Sequence, residues 1–297
     1  MSTTFDPHGR VAVLGIGLLG AGFAEHLLDL GADVVVWNRS PGKTDALAAR
    51  GAHVAASAAE AVAQASRVHL VLTADDAVDA VLDAALPALP VGVFVLDHST
   101  NAPARVATRV ATLRARDVRY IHAPVFMAPV NARAGTGLML IACSADEAAT
   151  LTPTLQTMTG KVWHVGERAE LAAVHKLIGN GLLVSISGAF GDLFALGASQ
   201  GLSTADVLRT FEEFQPGASL PAFGRRVAAR GTNAVSWELD VARKDVRLMI
   251  EAADGPQGLV VLPALAAAMD VALAEGLGET DYAVFAWPRG RVATPGT

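Results

Sequence analysis

A glycine motif near the start of the chain, Gly15-x-Gly17-x-x-Gly20, is the feature that most constrains the fold. It follows an apolar run, Val11–Leu14, and opens a helical pattern, and a second apolar run, Val34–Trp37, ends about 20 residues further on. In this setting the first glycine permits a tight turn, the second lets backbone N–H groups approach a pyrophosphate, and the third lets the helix pack closely on the strand. The motif predicts a dinucleotide site, with a plain glycine-rich turn as the alternative. The residues expected around the pyrophosphate are Gly15, Gly17, Leu18, Leu19 and Gly20.

Apolar runs alternate with amphipathic stretches over the first half of the chain. The predicted strands are Val11–Leu14, Val34–Trp37, Val68–Leu72, Val93–Leu96 and Tyr120–Ile121, with Gly137–Ala142 and Lys161–Val165 closing the domain. Continuous apolar strands separated by helices are typical of a parallel sheet that is covered on both faces. Residues 1–166 are therefore predicted to form a Rossmann-type, doubly wound α/β domain.

The pattern changes after Gly166, where no run favours a strand. Glu170–Gln200 predicts one long helix, and Gly or Pro interrupts the helical periods that follow it. Residues 167–297 are therefore predicted to form an all-α C-terminal domain that begins with this long interdomain helix.

Composition excludes several classes of protein. The formal net charge of −6 provides no basic surface for nucleic acid, and the single cysteine, Cys143, fits a reducing compartment. The eight histidines are scattered and none stands at ligand spacing from Cys, Asp or Glu, so no metal site is predicted. Leu171–Phe190 contains one charged residue, but its His, Asn, Ser and Gly residues favour a buried helix over a membrane span. Because the polar first nine residues lack a signal-peptide pattern, a cytoplasmic protein without a membrane partner is expected.

The residues that follow the second predicted strand indicate which dinucleotide binds. NAD sites usually place Asp or Glu there to bind the ribose 2′-hydroxyl, but this chain has Asn38, Arg39 and Ser40, followed by Lys43. A carboxylate would repel a 2′-phosphate, whereas an arginine can bind it through two hydrogen bonds. These four residues predict NADP(H) as the cofactor, and the alternative is a solvated surface loop.

One lysine stands out in the long helix. Between Glu170 and Asp192 the only formal charge is Lys176, and burying an unpaired ammonium is costly. Asn180 lies one turn along the same face, so the pair is a candidate reaction centre. The alternative is a lysine that reaches the domain edge to meet an acid. His175 points about 100° away around the helix, which favours a structural role for it.

Six segments in one order resemble the β-hydroxyacid dehydrogenase family, typified by 3-hydroxyisobutyrate dehydrogenase. They are VLGIGLLGAGFAEHLLDLGADVVVWNRS, LDHSTNAP at 96–103, HAPVFMAPVNARAGTGLMLIAC from His122, GERAELAAVHKLIGNG at 166–181, RKDVRLM at 243–249 and EGLGETDYA at 275–283. The resemblance covers nearly the whole chain. It implies a Rossmann domain, a long interdomain helix, and a helical substrate and dimerisation domain that commonly pairs with a second subunit, so a homodimer is expected.

The resemblance also implies roles for individual residues. The lysine at the position of Lys176 is the catalytic acid/base of such enzymes, and the asparagine at Asn180 helps to hold the substrate. Further cofactor contacts are expected at Lys244, at Thr100 near the nicotinamide, and at Leu72 and Thr73 on the adenosine side, and substrate contacts at Ser99, Phe126, Met127 and Ala128.

Two segments depart from the family pattern. Phe126, Met127 and Ala128 replace the Ser-Gly-Gly that cradles a substrate carboxylate, and His122 replaces an Asp. The change favours a larger apolar pocket or a substrate without a carboxylate. Imine reductases have the same two-domain plan and a Met- and Pro-containing loop here, but they generally lack a lysine at position 176.

The predicted function is thus NADPH-dependent hydride transfer, between nicotinamide C4 and a small carbonyl or alcohol substrate, with Lys176 as acid/base. An imine reductase is the first alternative. A non-catalytic NADP-binding interaction module is the second.

Overall fold

The computed structural model describes residues 9–288. The polar start of the chain before Gly9 and residues 289–297 lie outside this part. Two compact units divide between Asn180 and Gly181, inside the long helix. The sequence-based boundary at residue 166 lies before that helix and stays a prediction.

The first unit is built on a six-stranded parallel sheet in the order β3-β2-β1-β4-β5-β6. Its strands are β1 (Val11–Leu14), β2 (Val34–Trp37), β3 (His53–Val54), β4 (Arg67–Leu70), β5 (Phe94–Asp97) and β6 (Arg119–His122). This order is that of a Rossmann fold, in which the chain reverses direction across the sheet between β1 and β4. The predicted doubly wound α/β domain is confirmed.

Helices cover both faces of this sheet because its strands are apolar on both sides. In β1, Val11 and Val13 enter one buried cluster, and Ala12 and Leu14 enter the other. Alternate residues of a strand point to opposite faces, so each face has its own core. The helices of this unit are α1 (Leu18–Asp29), α2 (Asp45–Ala49), α3 (Ala58–Val62), α4 (Asp75–Ala85), α5 (Pro103–Arg114), α6 (Pro129–Ala134) and α7 (Ala145–Thr159), with a 3₁₀ turn at Leu86–Ala88.

A second, three-stranded sheet carries the segment that follows β6. It consists of β7 (Val125–Phe126), β8 (Leu138–Ile141) and β9 (Lys161–His164), with β7 antiparallel and β9 parallel to β8. The two strands predicted near residues 140 and 163 are therefore present, but they belong to this second sheet and not to the six-stranded one. The sequence did not predict β3 and β7, because two residues are too few for an apolar pattern.

Helix α8 (Leu171–Ser199) extends over 29 residues and crosses the division between the units. By length and composition alone it could cross a membrane, since its most apolar 18-residue window has a mean hydropathy of 1.6. Only 11% of that window is buried, and Ile178 and Val184 are 64% and 73% exposed. The expectation of a buried helix was therefore wrong for the single chain, because the described parts of each unit cover only part of its apolar surface.

The second unit is helical. Besides the end of α8 it contains α9 (Thr204–Glu213), α10 (Leu220–Ala228), α11 (Leu239–Ala252) and α12 (Leu262–Ala274), with 3₁₀ turns at Pro216–Ser219 and Tyr282–Ala286. Its core forms where Leu239 and Val246 of α11 cluster with Met269 of α12. The Asp192 carboxylate accepts hydrogen bonds from the backbone N–H groups of residues 260–262 and so caps α12. Between Gly181 and Pro288 the only β-pairing is one isolated bridge, as predicted for an all-α region.

Candidate cofactor and catalytic site

The glycine loop joins β1 to α1 beside the end of β4. Gly15 has a φ of +101°, and a Cβ there would lie 2.3 Å from the carbonyl oxygen of Val71. A Cβ on Gly20 would lie 1.9 Å from the carbonyl oxygen of Gly15. A Cβ on Gly17, in contrast, would meet no atom within 4 Å. The first and third glycines are thus required by packing, and the second presents backbone to open space, as a pyrophosphate-binding loop requires.

Asn38 connects this loop to the end of β2 through hydrogen bonds. Its Oδ1 accepts a hydrogen bond from the N–H of Ile16 at 2.9 Å, and its Nδ2 donates to the carbonyl of Ser40 at 2.8 Å. Both ends of the amide are therefore used within the protein. Asn38 thus positions the two loops, and the predicted cofactor contact at Asn38 stays a prediction.

A cavity of about 290 Å³ opens between these loops and the segment after β4. It brings together eight of the predicted cofactor residues: Gly15, Gly17, Asn38, Arg39, Ser40, Lys43, Leu72 and Thr73. Its remaining lining residues are apolar, so it contains two cations and no carboxylate. This composition suits an anionic ligand.

Other predicted cofactor residues lie outside this cavity. Leu18 is exposed on the first turn of α1, Leu19 packs against the core, and Thr100 is exposed after β5. Lys244 belongs to the second unit, where its Nζ pairs with Asp245 at 2.9 Å. Their roles toward a cofactor stay predictions.

Ser99 joins the segments that follow β4 and β5. Its Oγ accepts the N–H of Leu72 at 2.9 Å, and its own N–H donates to the buried carboxylate of Asp97 at 2.9 Å. Asp97 also accepts hydrogen bonds from Asn101 and Tyr120. Sequence reasoning missed Asp97 and predicted a substrate contact at Ser99. The only signal available was the Asp-x-Ser-Thr spacing, because Tyr120 is distant in the chain.

A chain of buried histidines lies next to this turn. Arg67 Nε donates to His69 Nε2 at 3.2 Å, His69 Nδ1 lies 2.8 Å from His98 Nε2, and His98 Nδ1 lies 2.7 Å from the carbonyl oxygen of Ala123. Because a carbonyl only accepts, the proton of His98 is on Nδ1, and both rings are neutral. Burial lowers the pKa of His98 to about 4, and burial, then His98, then Arg67, lower the pKa of His69.

His122 is the third buried histidine of this region, and its Nε2 lies 2.9 Å from the carbonyl oxygen of Ser99. Burial is the main cause that lowers its pKa. In residues 9–288 no group of His, Cys, Asp and Glu side chains has the arrangement of a metal site. The hydrogen bonds of His98 and His122 to the carbonyl groups of Ala123 and Ser99 hold the neighbouring loops in place.

Lys176 lies on the first turns of α8, half-buried against β7. Its Nζ donates to the carbonyl of Val125 at 2.7 Å and lies 4.5 Å from the centre of the Phe126 ring. Burial lowers the pKa of the Lys176 ammonium, and no carboxylate pairs with it among the described residues. A lysine with a lowered pKa releases its proton more readily than an exposed lysine does. Asn180 lies half-buried one turn further along α8, while His175 contacts Trp163, with 4.8 Å between the ring centres.

Comparison with known proteins agrees with this geometry. Residues 10–166 match the family described as the NAD binding domain of 6-phosphogluconate dehydrogenase. NAD-dependent L-serine dehydrogenase from Pseudomonas aeruginosa is 27% identical to the chain, with 93% of this chain and 96% of that protein covered. 2-(Hydroxymethyl)glutarate dehydrogenase from Eubacterium barkeri is 25% identical, with 92% of each covered.

Among solved structures, an imine reductase from Pseudomonas sp. superposes with a TM-score of 0.83 at 22% identity, covering 93% of this chain and 98% of that one. This likeness extends the shared fold to both units. The family match spans more than half of the chain, including the glycine loop and the cavity. The chain therefore belongs to the family defined by the NAD binding domain of 6-phosphogluconate dehydrogenase, and it is an NAD(P)-dependent oxidoreductase of the β-hydroxyacid dehydrogenase type.

Proposed function

We propose that this chain is an NADP(H)-preferring reductase of the β-hydroxyacid dehydrogenase type, acting on a small carbonyl or alcohol substrate with Lys176 as acid/base. The observation that carries the cofactor preference is the cavity beside Gly17, whose lining contains Arg39 and Lys43 and no carboxylate. A 2′-phosphate adds two negative charges, which two nearby cations compensate and an acid would repel.

The described residues fit a dinucleotide. Gly17 offers backbone next to open space, where a Cβ would meet no atom within 4 Å. The start of α1 follows directly, and its N–H groups favour a pyrophosphate. When bound, the nicotinamide supplies or takes up a hydride at C4.

Lys176 is proposed to act as the general acid and base of the reaction. In the reductive direction its ammonium donates to the oxygen that becomes the alcohol, and in the oxidative direction the neutral amine takes that proton back. The carbonyl of Val125 holds the Nζ atom in place at 2.7 Å. Burial lowers the pKa of Lys176, which makes release of the proton to the substrate oxygen easier.

The cofactor preference is tested by titrating the purified protein with NADPH and NADH and following ligand binding by nicotinamide fluorescence. Arg39→Ala is expected to weaken NADPH binding by about tenfold or more and to leave NADH binding nearly unchanged, because only the 2′-phosphate contact is lost. Arg50→Ala, on the exposed end of α2, is the matched control. Equal affinities for both cofactors in the parent protein would refute the NADP(H) preference.

Imine reduction is the second candidate, and the loop at Phe126 to Ala128 favours it. This loop carries no side-chain donor for a carboxylate. A panel that pairs aldehyde acids with cyclic imines distinguishes the two activities by NADPH consumption. Binding of NADPH without consumption of any of these substrates would indicate the non-catalytic module instead.

A homodimer in the cytoplasm is also proposed. In the single chain α8 exposes Leu177, Ile178, Leu183 and Val184. Several large exposed apolar side chains on one helix are typical of a protein interface. A second copy of the chain is the proposed occupant, because the family resemblance implies pairing through the helical region.

A further inference from the structure

We propose that Phe126 is a specificity-determining residue that makes the site select uncharged apolar carbonyl compounds over carbonyl acids, because its ring covers the ammonium of Lys176. This inference rests on the proposed function, in which Lys176 faces the substrate.

The side chains of Phe126 and Lys176 lie against each other. The Lys176 Nζ lies 4.5 Å from the centre of the Phe126 ring and donates to the carbonyl of Val125 at 2.7 Å. An ammonium has three N–H donors, so one is used by the carbonyl and the ring face takes up part of the remaining charge. A neutral carbonyl oxygen needs only one of the remaining N–H groups, whereas a carboxylate would meet an ammonium whose charge the ring already compensates in part.

The Phe126 ring packs against a glycine of α8. A Cβ on Gly179 would lie 2.4 Å from Phe126 Cζ and 2.5 Å from Cε1. Gly179 lies three residues after Lys176, hence on the same side of the helix. The ring therefore rests directly on the α8 backbone beside the ammonium, in space that any other residue at 179 would fill.

The loop offers a carboxylate no side-chain partner. Its side chains, from Pro124 to Pro129, include no hydroxyl, amide or cation, and the two prolines lack an N–H. The N–H of Ala128 already donates to Asn131 Oδ1 at 2.9 Å. An anion placed here would lose its hydration. The ammonium of Lys176, which the ring already covers, would compensate for only part of that loss, so binding of an anion is disfavoured.

A matched pair of substrates tests the proposal directly. 4-Oxobutanoate and its methyl ester have the same aldehyde and the same carbon chain, and differ in the charge of the far end. The measurement is kcat/KM for each, from NADPH consumption by the full-length protein. The parent protein is expected to favour the ester by about tenfold or more, through a higher KM for the acid.

Two substitutions on different elements displace or remove the ring. Phe126→Ser uncovers the ammonium and adds a hydroxyl donor, and Gly179→Ala pushes the ring aside while keeping it. Each is expected to reduce the ester preference by about tenfold. Val130→Ala, at an exposed position of α6, is the control and should keep the parent ratio. If Phe126→Ser fails to fold, Gly179→Ala still perturbs the ring, because alanine suits a helix.

The outcomes distinguish a failure of the role of Phe126 from a failure of the proposed function. Equal turnover of acid and ester by the parent protein, or a ratio unchanged in both ring variants, would overturn the role of Phe126 and leave the oxidoreductase function standing. NADPH binding without consumption of either aldehyde would overturn the proposed function itself, and this inference with it.

Discussion

Acidification should destabilise the first unit through His98, which lies buried at the end of β5. Its Nδ1 donates to the carbonyl of Ala123 at 2.7 Å, and its Nε2 accepts from His69 Nδ1 at 2.8 Å. A second proton could enter only at Nε2, where the N–H of His69 already points. Protonation would therefore break the bond between the rings and leave a buried charge.

The magnitude is set by the pKa values. Burial lowers the pKa of His98 from 6.5 to about 4, although the Ala123 carbonyl and Asp97 act in the opposite direction. The unfolded chain thus takes up a proton near pH 6.5 while the folded chain does not. Stability is fully present above about pH 6.5 and falls as the pH drops toward 4, by roughly 3 kcal/mol in total at about 1.4 kcal/mol per pH unit. The lowered pKa of His69 acts in the same direction.

The assay is urea unfolding between about pH 7.5 and about pH 4.5, followed by circular dichroism. His98→Asn should be less stable than the parent protein near neutral pH, because it loses the bonded ring, but its stability should fall less steeply below about pH 6.5. His53→Asn, at an exposed position of β3, is the control for the substitution itself. A parent protein whose free energy of unfolding stays constant down to about pH 5, or an unchanged slope in His98→Asn, would refute the reasoning.

Three other positions allow equally direct tests. Lys176→Ala should lower turnover by a factor of about 100 or more and leave NADPH affinity unchanged, because the lysine is proposed to transfer the proton and not to bind the cofactor. Near-normal turnover of this variant in a steady-state assay would exclude Lys176 from the mechanism. Gly20→Ala should destabilise the protein by about 2 kcal/mol or more, because its Cβ would lie 1.9 Å from a carbonyl oxygen. The control Gly191→Ala, with open space around its Cβ in α8, should be neutral or stabilising. Thermal melting that ranks the two variants in the reverse order would contradict the loop packing. Val184→Glu should convert the expected dimer to a monomer, because Val184 is 73% exposed in the single chain; light scattering that finds the parent protein monomeric at micromolar concentration would rule out the dimer.

Much of the first unit could be predicted from local signals. The glycine spacing and the apolar runs around it are short-range patterns, so the loop, β1, α1 and β2 were predictable without a structure. Arg39 and Lys43, which line the cavity, could be selected for the same reason, because they follow β2 closely in the chain. Lys176 stood out as the only formal charge in a long apolar segment.

The tertiary structure decided what these residues contact. The partner of Lys176 is the carbonyl of Val125, 51 positions earlier in the chain, and Asp97 meets Tyr120 across two strands. The exposure of α8 depends on what packs against it, not on its composition. Sequence patterns carry periodicity and chemistry over about 20 residues, whereas burial and long-range hydrogen bonds arise only when distant strands pair. The sequence alone was therefore enough to select Lys176 and Phe126 as candidate site residues. Only the fold places the ring of Phe126 over the ammonium of Lys176.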